Sequence, residues 1–437
     1  MASTGSFNTN VASNSALARK LFSVALFAQT QKQPGFSRAL TGPAPSTGDA
    51  INKLKAQTSK DMPIVRITDL SKTAGDKVSV DVFGTIGGKP VMGDADAEGT
   101  GVALTNAAMD IKIDLATKVV DAGGKMSQQR TVHDLRNIAM ANLTSYFARL
   151  DDQTSLVHLA GARGTEVNED WVVPLASDGD FASIMVNVGS NNNVPAPSFG
   201  NHFLIDNAGA SLVAPSVANI GAIATADVLT LESIDNMRTM LDEMAFPLQP
   251  VKIADDPAAA DEPMWVLYVS PRQYSHLLKA TANDIRSFQQ NAWNRASYGS
   301  KHPLFKGEVG MWNGILVKKL NRAIRFGNGS SMQHVIEANK ATGTETTTAV
   351  PAAITSAFAV DRAILLGAQA LGNAYGKNKG SDYHFDWLEN EYNMGRAREI
   401  GGDCMGGKAK LRFNLGGTHV KDHGVMVFDS VVSLTRS

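Results

Sequence analysis

Gly402-Asp403-Cys404-Met405-Gly406-Gly407-Lys408-Ala409 comes within one residue of a phosphate-cradling loop. Such a loop runs glycine, four residues, glycine, lysine and a hydroxyl. The hydroxyl holds magnesium, and the first amides of a following helix face the phosphate. Ala409 has no hydroxyl, and Lys410 to Asn414 reads as a strand rather than a helix. Nucleotide chemistry is not expected here, and 402–408 reads as a flexible turn between strands. A second near miss is Asp94-x-Asp96-x-Glu98-Gly99, which has the opening carboxylates and sixth-position glycine of a calcium loop. Its twelfth position, where a bidentate glutamate belongs, is Thr105. The better reading is a solvated acidic tip making ion pairs with a neighbouring subunit.

His419 and His423 have a metal-ligand spacing only if they lie on a helix. Val420 and Gly424-Val425-Met426-Val427 instead suggest a strand around a turn. Cys404 has no histidine beside it in sequence. Glu389 and Glu391, next to Trp387, have the types of an acid–base pair, but their setting reads as surface charge on a strand-to-turn segment. The chain has no G-x-S-x-G elbow and no H-E-x-x-H helix. The expectation is a protein that is not an enzyme, with no catalytic residue, metal or cofactor. A dispersed active site leaves no linear trace and stands as an alternative.

The elements that would position these residues belong to a long chain. At 437 residues, two or three folding units are expected. The 43% hydrophobic fraction is that of a globular protein, and 39 glycines point to many turns. A net charge of −1 argues against coating nucleic acid wholesale. The charge is unevenly spread: residues 1–60 carry Arg19, Lys20, Lys32, Arg38, Lys53, Lys55 and Lys60 against Asp49 alone. With a single cysteine, no intrachain disulfide forms, which fits assembly in a reducing cytoplasm. Leu21 to Ala28 follows too long a polar lead for a signal peptide and reads as part of an amphipathic helix. No stretch reaches the roughly 20 apolar residues of a bilayer span, so a soluble chain is expected.

Residues 1–63 read as an arm, with a short helix from Ser15 to Ala28 and a tether through Gly42-Pro43-Ala44-Pro45-Ser46-Thr47-Gly48. Such an arm has too little apolar surface to fold alone and must dock on a partner or stay loose. Residues 64–118 hold a ribbon. Val78, Val80 and Val82 alternate with polar neighbours, Gly87-Gly88 supplies a turn, and Ala108 to Leu115 alternates again. A long polar ribbon is not stable alone in water. Nothing nearby in sequence offers it a core, so another copy of the chain is expected to cover it. Period 3.6 then appears from Ser127 to Leu150, with Leu135, Ala139, Leu143, Tyr146 and Leu150 on one face: a helix of about 36 Å. Residues 161–222 are loop-rich with short strands. An α/β section follows: a helix from about Thr225 to Met244, a buried strand Met264–Ser270, a helix opened by Pro271, and a strand Gly314–Lys319. Asp382 to Val432 is strand-rich.

In this order, the arm, ribbon, long helix, α/β section and strand-rich end resemble the major capsid proteins of tailed bacteriophages, with the Hong Kong 97-type fold. The resemblance is nearest to the branch first recognised in the phage named N-four. Four co-linear blocks carry it: Asp69-Leu70 through Glu98-Gly99; Met126 to Arg149; Ala363 to Leu371; and Trp387 through Gly401-Gly402 and Lys408 to Asp422–Phe428. Thr100-Gly101 departs from the acidic pair expected after Glu98-Gly99, and residues 161–220 have no match.

The resemblance implies an α+β fold of five parts: an N-terminal arm (1–63), an extended loop (64–118), a peripheral domain with a spine helix (119–224), an axial domain (225–370), and C-terminal strands returning to the peripheral domain (371–437). It implies a shell protein that forms hexamers and pentamers closing into an icosahedral capsid around double-stranded DNA. Assembly would occur in the host cytoplasm with portal, scaffolding and decoration proteins as partners, and no membrane. Lys77, Lys89, Asp94, Asp96 and Glu98 are the expected inter-subunit contacts. Arg19, Lys20, Lys32 and Arg38 are the expected interior, DNA-facing residues. The alternatives are a nanocompartment shell of the same fold, a soluble enzyme with a dispersed site in the α/β section, and another virion part.

Overall fold

The computed structural model describes residues 36–41, 62–67, 75–83, 89–93, 98–101, 106–130, 135–168, 170–187, 192–209, 211–244, 247–251, 263–279, 308–377, 384–392, 394, 396–415 and 419–435. A short helix α1 (Phe36–Thr41) leads to strand β1 (Ile64–Ile67). The ribbon pairs β2 (Lys77–Phe83) with β3 (Asn106–Lys112), antiparallel, with Val78 opposite Ile111 and Val82 opposite Ala107. The return arm of the ribbon is thus 106–112, and the Gly87-Gly88 turn lies outside the described residues. β4 (Asp114–Gly124) follows and runs through Gly123-Gly124, where the sequence suggested a break.

Two helical pieces come next, α2 (Lys125–Arg130) and α3 (Leu135–Ala160). The spine helix therefore continues ten residues past Leu150, the end expected from periodicity. Asp151, Asp152, Gln153, Thr154 and Ser155 break the apolar stripe, yet each is partnered inside the fold. Gln153 donates to the Asp170 carbonyl and accepts from the amides of Val172 and Val173. The helix stops at Gly161, whose φ of 65° is the left-handed conformation that ends helices cheaply only at glycine.

The loop-rich stretch contains α4 (Phe181–Met185), β5 (His202–Asp206), β6 (Ser211–Val213) and α5 (Val217–Gly221). Helix α6 spans Leu231–Glu243 rather than starting near Thr225. The Asp227 carboxylate closes a turn there, accepting from the amides of Ala224 and Asn207, and Thr230 caps the helix through a reciprocal bond with Ser233. β7 (Trp265–Val269), α7 (Pro271–Leu277), β8 (Glu308–Trp312) and β9 (Ile315–Lys319) follow. Then come β10 (Ile324–Phe326), the hairpin β11 (Ser331–His334) with β12 (Thr346–Ala349), and β13 (Phe358–Leu366). The chain closes with β14 (Leu371–Tyr375), β15 (Phe385–Tyr392), β16 (Ala397–Lys410), β17 (Arg412–Leu415), β18 (His419–Asp422) and β19 (Val425–Ser433).

Two sheets organise these elements. The larger has the order β6-β5-β19-β13-β7-β9-β8, with β10 also on β13. Both its faces are covered, which is why β7 is an uninterrupted apolar run. Trp265, Leu267 and Val269 pack on one side with Leu231, Ile234, Met237 and Leu241 of α6; Val266 and Tyr268 pack on the other with Leu156 and Leu159 of α3. The smaller sheet is built around the long strand β16. β14 and β15 lie in succession along one edge of it and β4 along the other. The first half of α3 packs on this sheet: Ala139, Leu143 and Phe147 meet Phe385, Trp387 and Ile400. The spine helix thus bridges the sheets, one at each end. Among the described residues, no helix is long and apolar enough to cross a membrane.

Candidate assembly surfaces

The near-motif at 402–409 is neither loop nor turn; it is the interior of β16. Its glycines serve backbone approach. A Cβ on Gly407 would run into the Lys112 carbonyl oxygen, where the ribbon root crosses the sheet. Asn187 holds the same crossing, accepting from the Lys112 amide at 2.7 Å and donating to the Lys408 carbonyl. Lys408 faces away from solvent. Its ammonium lies 2.6 Å from Asp151 Oδ1 and donates to the hydroxyls of Thr154 and Ser155. Burial alone would raise the Asp151 carboxyl, yet Lys408 and Ser37 hold it below the usual carboxylate range. Cys404 also sits in β16, where burial pushes its thiol up to about 12, away from the thiolate.

The other chemistry-bearing residues are likewise structural. Glu389 is buried, not surface charge: it accepts from Arg136 and from the Trp387 indole. Desolvating a carboxylate is tolerable because these donors satisfy it. Glu391 is exposed and pairs with Arg398. His419 and His423 flank a strand and its turn, as their neighbours implied. Two further charged clusters are unforeseen from the sequence, and the second joins elements far apart in the chain. Asp422 receives Arg412 at 2.7 Å and Lys410 at 3.0 Å. Asp429 receives Arg362 at 2.7 Å and His202 at 2.6 Å, and Arg362 also donates to the Ala160 carbonyl at the end of α3. Burial would raise the Asp429 carboxyl, but Arg362 and His202 drive it far below its ordinary value.

The arm departs from expectation in one part. Helix α1 docks on its own chain: Leu40 is fully buried, Phe36 meets Tyr268 edge-on at 4.7 Å, and Ser37 Oγ donates to Asp151 and Asp152 at 2.7 and 2.8 Å. Arg38 lies in this helix, its side chain outside the described residues; Arg19, Lys20 and Lys32 also lie outside them. Of the expected contact residues, Lys77 is exposed at the start of β2, opposite Lys112, and Lys89 and Glu98 are exposed further out. Asp94 and Asp96 fall outside the described residues.

The ribbon has one apolar face, formed by Val78–Ile111, Val80–Met109 and Val82–Ala107 as directly opposed pairs. Its root is covered by its own chain: Val78 and Ile111 are buried against Ile67, Ala374, Leu411 and Phe413. Cover then thins outward, where Val80, Val82 and Met109 are only partly buried and Met92, toward the tip, is 77% exposed. A second bare surface is the side of the smaller sheet facing away from the spine helix. Val119, Gly401 and Leu388 form one row across three strands, with Leu115 two repeats further along β4 on the same face. Val119 is 51% exposed and Leu115 48%. The alternation that exposes them was present in the sequence as Leu115-x-x-x-Val119, but only strand pairing reveals Leu388 as their neighbour.

A phage capsid protein family model matches residues 10–434. The capsid of Ralstonia phage GP4 superposes with a TM-score of 0.66 at 24% identity, over 87% of this chain and 90% of that one. The cyanophage Pam1 capsid asymmetric unit gives 0.58 at 20% identity, covering 86% and 90%. The acidic stable capsid of Helicobacter pylori bacteriophage KHP30 gives 0.54 at 13%, covering 86% and 88%. No curated protein matches by sequence. The mixed α+β architecture is that of phage major capsid structures, as the sequence resemblance implied. A family model spanning almost the whole chain places this protein in the phage capsid protein family.

Proposed function

We propose that this chain is the major capsid subunit of a tailed phage, forming hexamers and pentamers that close into an icosahedral shell around double-stranded DNA. The observation that carries the reading is the ribbon. Its apolar face is buried by its own chain only at Val78 and Ile111, and the rest reaches outward partly bare. A second copy completes that burial, and the bare row Val119–Gly401–Leu388 offers a second apolar area to neighbours. Each contact need not be strong, because a subunit held by several neighbours makes the next contact at high effective concentration.

The proposal extends to the five-part division at residues 63, 118, 224 and 370, and to Lys77, Lys89, Asp94, Asp96 and Glu98 as contacts between subunits. It also places Arg19, Lys20, Lys32 and Arg38 toward the interior and its DNA, with portal, scaffolding and decoration proteins as partners and assembly in the host cytoplasm. Negative-stain microscopy and sizing of the expressed full chain, with and without its scaffolding protein, test it. Capsomers or closed particles are expected. A small, closed oligomer under both conditions contradicts the reading, and particles filled with an enzyme cargo rather than DNA identify a nanocompartment shell.

A further inference from the structure

A cavity of about 430 Å³ lies between the spine helix, β4, β16 and the short helix α4. Its walls are mainly apolar, including Leu150, Phe147 and Ile184, and one side is the exposed Ala116 of β4. Two polar side chains in the wall have an atom that meets no hydrogen-bond partner among the described residues: His158 Nδ1 and Asn373 Oδ1. Both residues are almost completely buried, at 2% and 3% exposure. An unmet polar atom in such a place is costly, and proteins rarely keep one without an occupant.

The chemistry of the missing group follows from its surroundings. His158 Nδ1 has no hydrogen-bond partner among the described residues, and a neutral imidazole offers it as acceptor or donor according to its tautomer. Burial, reinforced by Lys408 and Lys410, brings the imidazole down to about 3, so it stays neutral at physiological pH. Asn373 donates one amide N–H to Tyr375 Oη, 2.9 Å away, and its oxygen is left without a partner among the described residues. A head that both donates and accepts serves both atoms. The wall carries Asp114, Asp151 and Asp180 as well as Lys118 and Lys408, the last already paired with Asp151, so no single sign of charge selects an ion.

We propose that this cavity binds an uncharged small molecule with an apolar body and a hydroxyl or primary amide head, the head donating to Asn373 Oδ1 and hydrogen-bonding His158 Nδ1. The volume is that of an ordinary small-ligand site, and an apolar wall with few polar groups fits that class.

Hexanamide and 1-hexanol are the probes, titrated into the purified full-length chain by calorimetry, with the unfolding temperature followed in parallel; toluene serves as a probe with no donor. Saturable heats for both head-bearing probes, with a rising unfolding temperature, are expected. Ala116→Trp, at an exposed position where folding is not at stake, plugs the cavity and should weaken both at least tenfold. His158→Phe should weaken hexanamide about 5- to 10-fold, the worth of one hydrogen bond, and leave toluene unchanged. Absence of saturable binding means that the cavity holds only water, and the proposal is wrong. Undiminished binding by the folded Ala116→Trp protein overturns it equally. So does a toluene affinity matching hexanamide in the wild type.

Discussion

The ammonium of Lys408, in the middle of the smaller sheet, lies 2.6 Å from the carboxylate of Asp151, in the middle of the spine helix. The same carboxylate accepts from Ser37 of the arm helix at 2.7 Å. One ion pair therefore ties together three elements that are 114 and 257 residues apart. Removing one member of a buried pair strands the other, at a cost of about 3–5 kcal/mol. Lys408→Ala should lower the stability of the unassembled subunit by that order in urea denaturation. The apolar double replacement Lys408→Met with Asp151→Leu should recover most of the loss; if it is as unstable as the single variant, the pair is not what Lys408 contributes.

Acid should weaken the subunit well above the carboxylate range. Burial brings His158 and His384 down to about 3, reinforced by Lys408 and Lys410 at the first and Arg66 at the second. Between about pH 6.5 and 3, the unfolded chain takes up two protons that the folded chain refuses. Stability therefore falls as pH drops through that window, by up to about 1.4 kcal/mol per pH unit for each histidine. Asp429 adds a loss at lower pH, because its carboxyl is depressed in the fold and its contribution disappears as it protonates. Unfolding free energies measured from pH 7 to 4 should show the slope, and His158→Phe should remove about half of what His158 and His384 contribute together.

Two glycines of β16 should respond oppositely to the same change. Gly407 has the Lys112 carbonyl in the space a Cβ would fill, with backbone on both sides, so Gly407→Ala must push the ribbon root away. Overpacking against backbone costs about 1–3 kcal/mol or more. Gly401 has no atom nearer than Val119 Cγ2 at 3.7 Å and lies in an extended strand. Gly401→Ala should be neutral or slightly stabilising. Thermal unfolding of the two variants gives the comparison, and equal losses would refute the crossing as the reason for the glycine.

Assembly and folding should separate at the exposed sheet face. Val119→Glu and Leu388→Glu place charge on a surface that the isolated subunit leaves bare, so their unfolding curves should stay within about 0.5 kcal/mol of wild type. In the shell, each would bury an unpaired carboxylate. Particle yield by sizing should collapse for both, and for Met92→Glu near the ribbon tip. Normal particles from all three would show that these surfaces do not mediate self-association.

How far the chain declares itself depends on whether a feature is periodic or relational. The buried strand at Trp265–Val269, the helix opened by Pro271 and the apolar face of Val78, Val80 and Val82 were legible because side-chain period is a local property of the backbone. So was the failure of Gly402–Ala409 as a phosphate loop, since one missing hydroxyl is decisive. What that segment does instead was not legible. Glycines that read as a turn form a strand interior because β3 crosses over them from nearly 300 residues earlier. The helix read as ending at Leu150 runs on to Ala160 because Asp151 finds Lys408 and Asp152 finds Ser37, and buried charge is stable only where a distant partner meets it. For the same reason Glu389 reads as surface and is core. Local sequence determines which face of an element is apolar; only the tertiary structure decides which of those faces the chain covers itself and which it leaves for another copy.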